Sequence, residues 1–120
     1  MKKSIFILLF FLAFNSYSQV VNSHYKKVYE FDVYQKDWAL VKTVANTFGF
    51  INKENKEIVP AIYSKIYSFE KKENNSEYAL VKNVAGAFGF INENGKEIIK
   101  TIYWNKEEAI QQLNIFLNEL

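Results

Sequence analysis

Apolar residues along the chain fall into short blocks with brief polar breaks, and the blocks recur. From Ala39 the chain reads ALVKTVANTFGFINKENKEIVPAIY, and forty residues on, from Ala79, it reads ALVKNVAGAFGFINENGKEIIKTIY. Each copy holds ALVK, then FGFIN, then KEI with a following IY. Val, Ile, Phe and Tyr dominate these blocks, which is the composition of strands joined by turns. Asn94-Gly95 parts the last two blocks of the second copy, and both residues tolerate positive φ, a strong hairpin signal. Asn55 holds the matching place in the first copy, less comfortably than a glycine would. The pattern predicts one hairpin per copy, centred near Asn55 and Asn94. Pro60 is predicted to close the first KEIV strand where it need not donate to the ladder.

A partial third copy lies upstream. YKKVYEF (Tyr25 to Phe31) matches YSKIYSF (Tyr63 to Phe69) at an offset of 38. The two missing residues come out of the charged loop that follows, where length differences are tolerated. The expected organisation is a half repeat at 25–31, a full repeat at 38–69 and a partial repeat at 78–103. Together they form one antiparallel, mainly β domain over residues 25–103, whose units complete one another by strand pairing.

After Tyr103 the period changes. WNKEEAIQQLNIFLNEL reads as a helix over residues 104–120, with Asn105 as N-cap and Glu108 completing a capping-box-like pair. Glu107 and Glu108 stand in the first turn, where the helix dipole favours negative charge. Ala109, Ile110, Leu113, Phe116, Leu117 and Leu120 are predicted to form one apolar face. That face is expected to pack on the β-domain, covering apolar surface that another repeat would otherwise bury.

The first residues have a different character. Lys2 and Lys3 precede an unbroken apolar run, Ile5 to Phe14, too short to span a bilayer, which takes about 20 residues. Ser16 and Ser18 then stand three and one before Gln19. That layout predicts a signal peptide over residues 1–18, cleaved between Ser18 and Gln19, followed by a short linker over 19–24. The expectation is export to the periplasm or the exterior, with no transmembrane segment in the mature chain. Removing the signal changes the charge reading. The chain has fifteen cations, all Lys, against thirteen acids; without Lys2 and Lys3 the two are equal. A neutral domain without Arg lacks the basic face and planar forks that nucleic acid demands, so nucleic acid is not an expected partner.

Candidate chemistry is sparse. The chain has no Cys, which excludes disulfides, thiolate nucleophiles and Cys-ligated zinc. His24 is the one histidine, so triads and histidine metal clusters cannot be built within one chain. No Gly-rich phosphate loop is present. No catalytic, metal or cofactor site is assigned, and no cofactor is expected. Carboxylates such as Glu57 and Glu97 could serve a glycosidase, which needs two placed across a sugar, but each alternates with Lys as a solvated strand face does. Tyr25, Tyr29, Tyr63 and Tyr67 recur at matched places, and Trp38 and Tyr78 lead matched strands. They read as repeat-core residues, with a sugar- or peptide-binding stripe as the alternative.

The series FGFINKENKEIVPAIYSKIYSF resembles the WG-containing repeat of exported bacterial proteins. Phe48-Gly49 and Phe88-Gly89 fill its Trp-Gly place, and Phe50 and Phe90 open the strand that follows. Asn52 and Asn92 take the place of an Asp, Gly95 that of the turn glycine, Pro60 the Pro, Tyr63 and Tyr103 the Tyr, and Phe69 the later Phe. The sequence departs from the pattern in having Phe for Trp twice, Asn55 for a turn glycine, Lys100 for the second Pro and Glu70 for a Gly. The resemblance implies a β-rich repeat without defined catalytic residues. The functional expectation is therefore a non-catalytic binding module for a protein or envelope polymer. The alternative is an envelope glycan hydrolase acting through carboxylates.

Overall fold

The computed structural model describes residues 24–120; the apolar run and the Ser18–Gln19 cleavage position lie outside them. Seven strands, β1 (Lys27–Phe31), β2 (Trp38–Lys42), β3 (Phe48–Asn52), β4 (Glu57–Lys71), β5 (Glu77–Asn83), β6 (Phe88–Asn92) and β7 (Glu97–Tyr103), precede one helix, α1 (Lys106–Asn118). The strands form a single antiparallel sheet in chain order, the topology that short connections produce.

Turn residues set that topology. Asn55 (φ 63°) and Gly95 (φ 85°) take the left-handed conformation in the two expected hairpins. The side-chain oxygen of Asn52 accepts from the amides of Glu54 and Lys56, and that of Asn92 from those of Asn94 and Lys96. Three further turns follow, one in the expected charged loop after Phe69 and two, between ALVK and FGFIN in each copy, that were not expected. They carry Asn46 (φ 64°), Asn75 (φ 68°) and Gly86 (φ 98°), residues suited to positive φ. Thr43 caps the first of these by accepting from Ala45 and Thr47, and Asn83 caps its counterpart by accepting from Ala87.

The repeat is visible in the register. In the first unit Phe48 faces Tyr63, Phe50 faces Val59 and Ile51 faces Glu57. In the second, Phe88 faces Tyr103, Phe90 faces Ile99 and Ile91 faces Glu97, with bulges at the same places. The bulges bring β4 and β7 close over the glycines. A Cβ on Gly49 would lie 2.4 Å from the Val59 carbonyl oxygen, and one on Gly89 would lie 2.5 Å from that of Ile99. The half repeat behaves likewise: Val28 faces Val41 and Phe31 faces Ala39, as Ile66 faces Val81 and Phe69 faces Ala79.

Pro60 corrects one expectation. It does not end a strand, because β4 is a 15-residue strand that starts at Glu57 and continues past Pro60 to Lys71. Between Val59 and Tyr63 the ladder is bulged and Pro60 points to solvent, so the missing N–H is tolerated there. β4 thereby belongs to both units, pairing with β3 through its first half and with β5 through its second.

The core is shared in the same staggered way. Leu40, Phe50 and Val59 of the first unit pack in one cluster with Ala79, Val81 and Ile91 of the second. The equivalent surface of the second unit, Phe90 and Ile99 with Leu80 beside them, is covered by Ala109 and Leu113 of α1, with Phe116 and Leu117 at the margin. Asn105 caps α1 by accepting from the Glu108 amide at 2.8 Å. Two predicted members of the helix face do not join it. Ile110 is exposed because it lies 100° around the helix from Ala109, beyond the contact. Leu120 has the right angle, but the helix stops at Asn118 and the side chain stays in solvent.

Candidate functional site

The loop between β1 and β2, Asp32 to Asp37, does more than link strands. Asp32 (φ 69°) and Asp37 (φ 67°) bend it back. The Asp32 carboxylate accepts from the Asp37 amide at 2.6 Å, and the Trp38 amide donates to the Gln35 carbonyl. Lys53, on the neighbouring turn, pairs with Asp37 at 3.2 Å and Asp32 at 3.9 Å. The bond to Asp37, then the Asp32 charge, raise the Lys53 pKa above its ordinary value. The Gln35 side chain donates to Glu77, anchoring the loop to the second unit.

This anchoring places Tyr34 over the sheet. Its ring meets Phe50 edge-on at 5.2 Å, within a cluster in which Trp38 also contacts Phe50 (5.2 Å) and Phe69 (5.7 Å). Such arrangements are the favoured ones for aromatic pairs. Three clefts border on Tyr34. One of about 280 Å³ is lined by Leu40, Phe48, Ser64, Lys65 and Ile66. A second of similar size runs past Tyr29, Glu30 and Val33, and a third of about 240 Å³ lies against Ser68 and Phe69. The result is an aromatic-walled groove with hydroxyls, one lysine and one carboxylate along it. Sequence reasoning overlooked Tyr34. The signal was there: DVYQKD carries Val and Tyr where the matching loop EKKENNSE is wholly polar.

The recurrent tyrosines have a structural place. Tyr25 donates to Glu57 at 3.2 Å, and its counterpart Tyr63 donates to Glu97. Burial first, then the bond to Glu97 and its charge, push the Tyr63 phenol well above its usual range; Tyr25 is raised by burial first, then by the Glu57 charge and the bond to it. Tyr29 and Tyr67 lie under the ammonium groups of Lys27 (4.4 Å) and Lys65 (4.5 Å). Glu57 and Glu97 are thus each bonded to a tyrosine at their own unit boundary, and the groove holds the single carboxylate of Glu30. His24 stands exposed ahead of β1. Among the described residues no cluster of three His, Asp or Glu side chains gathers to hold a metal.

The family model for the WG containing repeat matches residues 48–83 and 88–103. Over these residues the chain matches the WG-containing repeat family. No curated protein and no solved structure matches the chain. The geometry explains how the WG-repeat pattern works here. Gly49 and Gly89 are required because the bulged partner strand touches them, and Asn52 and Asn92 act as turn caps. The aromatic before each glycine, Phe48 or Phe88, is half-buried or buried and lies beside a lysine, Lys42 at 5.7 Å or Lys82 at 5.5 Å. The matched residues begin after Tyr34, so the groove combines repeat positions with a loop outside the repeat.

Proposed function

We propose that this WG-repeat protein is an exported, non-catalytic binding module and that its working surface is the groove around Tyr34. The observation that carries the reading is the convergence of three clefts on one ring, held in place by a loop braced through Lys53 and Glu77. Ligand sites are mostly apolar concavities with a few polar groups to fix orientation, and this groove has that make-up. Its aromatic walls with Ser64, Ser68, Lys65 and Glu30 suit an extended polymer of the cell envelope, glycan or peptide. Export rests on the Lys2-to-Gln19 sequence pattern. A repeat supplies surface readily, and the carboxylates a hydrolase would pair are occupied at separate unit boundaries.

The test is a panel of envelope glycans and extended peptides titrated against the chain while its tyrosine and tryptophan emission is followed. A binder should lose roughly tenfold or more in affinity on Tyr34→Ala, in line with the 2 kcal/mol or so that an aromatic anchor contributes. Equal binding by the variant removes the groove from the function. Turnover of any glycan on the panel would overturn the non-catalytic reading.

A further inference from the structure

We propose that the ligand of the groove around Tyr34 is an anionic glycan, its acidic groups held by two matched pairs of lysines. The inference rests on the groove being the working surface. Strand pairing sets up two rows across the sheet. In the first, Lys27 faces Lys42, Lys42 faces Phe48 and Phe48 faces Tyr63. In the second, Lys65 faces Lys82, Lys82 faces Phe88 and Phe88 faces Tyr103. Residues directly opposite on neighbouring strands share a face, with Cβ atoms about 5 Å apart, so each row sets two lysines side by side. Their ammonium groups lie over rings: Lys27 over Tyr29 at 4.4 Å, Lys42 over Phe48 at 5.7 Å, Lys65 over Tyr67 at 4.5 Å and Lys82 over Phe88 at 5.5 Å. Lys106 of α1 joins the second row over Tyr67, at 4.8 Å.

Like charges directly opposite each other destabilise a sheet, and an acid across the strands is the usual relief. Neither row has one. Among the described residues the ion pairs are those of Lys53 with Asp32 and Asp37 and of Lys72 with Glu70, none of them in a row. Glu97, which bonds the Tyr63 end of the first row, and Glu57 accept from tyrosines rather than lysines. Neighbouring positions differ between the copies, Lys26 and Glu30 matching Ser64 and Ser68, while both lysine pairs recur. Two ammonium groups with three donors each, without a carboxylate of their own, form a clamp that an external anionic oxygen completes through charge-assisted bonds. The rows reach the groove. Lys65 lines one cleft with Tyr34 and Phe48, the ring beneath Lys42, and Tyr29, the ring beneath Lys27, lines another. Against these three cations stands one acid, Glu30. Ser64, whose proton is shared between the Lys82 and Asn83 carbonyls, and the exposed Ser68 offer acceptors along the same clefts. Acceptors, open rings and paired cations together match a sugar chain that brings hydroxyl donors and carboxylates at intervals.

The test is calorimetric titration of the full chain with an oligouronate, a neutral glucan of the same length and an oligoglutamate. The oligouronate should bind at least about tenfold more tightly than either, and salt should weaken it. Lys42→Gln with Lys65→Gln should cost it roughly tenfold or more, the loss of charged hydrogen bonds. Lys56→Gln, which removes the same charge beyond the other end of β3, should cost nothing. Without ligand the double variant breaks both like-charge pairs, so its melting temperature should hold or rise. Lysines that only packed on rings would lower it instead, and that result overturns the proposal. No binding of the oligouronate, equal binding of the glucan or the oligoglutamate, or an equal loss on Lys56→Gln overturns it too. The groove is judged separately by Tyr34→Ala. A ligand that needs Tyr34 but ignores the lysine variant keeps the groove and removes the anionic glycan. Oligouronate binding that follows the lysines but ignores Tyr34 removes the groove, and this placement of the ligand with it.

Discussion

Single residues in this protein carry two separable kinds of constraint, contact and conformation. Gly89 has ordinary backbone, but a methyl group there would meet the Ile99 carbonyl at 2.5 Å and the Thr101 Cα at 2.7 Å. Both are backbone atoms that cannot swing away. Gly86 is the reverse case, with φ of 98° and nothing within 4 Å of a built Cβ. Gly89→Ala should therefore cost about 1–3 kcal/mol or more in urea unfolding. Gly86→Asn should be nearly neutral, since Asn46 already serves at that position in the first unit. Equal losses for the two would mean that the bulge yields and the close approach is not binding. Tyr63 makes a prediction in pH. Its phenol is raised above the ordinary 10.0, chiefly by burial. A group whose pKa is higher folded than unfolded contributes fully below the unfolded value and loses that contribution as pH rises through the folded one. Stability should hold to about pH 10 and fall beyond it. Tyr63→Phe should flatten the alkaline fall while lowering stability at neutral pH, where the bond to Glu97 is lost.

At the scale of elements, α1 stands where a further unit would. Leu113 and Ala109 are fully buried against Phe90 and Ile99, the counterparts of Phe50 and Val59, which the second unit covers with Ala79, Val81 and Ile91. Leu113→Ala should cost about 2–5 kcal/mol, lowering the melting temperature by roughly 10 °C or more at this domain size. The half-buried Leu117 should lose less, and Ile110→Ser should change little. A chain ending after Trp104 that melted unchanged would show that the helix covers nothing essential. Much of this level was legible in the sequence. Asn94-Gly95, the forty-residue period and the Asn105 cap each have a local physical cause, so they fix strands, hairpin and helix start without tertiary knowledge. Two features were not legible. Pro60 reads as a stop when only the ladder is considered, because the bulge that frees its nitrogen depends on β3 crowding in over Gly49. Ile110 fits an apolar spacing, and only the curvature of the surface beneath α1 decides that 100° is too far. The groove lay hidden for a related reason: the loop that carries Tyr34 is held by Lys53 and Glu77, which are distant in the chain.

The whole molecule behaves as one interlocked stack, because each boundary is shared. β4 pairs with both units, the central cluster draws side chains from both, and Gln35 bridges from the first loop to Glu77 in β5. Two separate melting steps are not expected from such a body; global unfolding should be a single transition seen alike by tyrosine fluorescence and circular dichroism. Local opening should still be graded along the sheet. β1 pairs with β2 alone, and its apolar residues Val28, Tyr29 and Phe31 are only half-buried. β5 and β6 are flanked on both sides and hold Ala79, Val81 and Ile91 at full burial. Native-state hydrogen exchange should therefore find β1 amides opening at least about tenfold more often than those of β5 and β6, a difference of 1.4 kcal/mol or so in local stability. Removing α1 should then speed exchange in β6 and β7, which it covers, and leave β1 and β2 as they were. Faster exchange throughout the sheet would mean instead that the helix sets global stability and that the units have no local opening of their own.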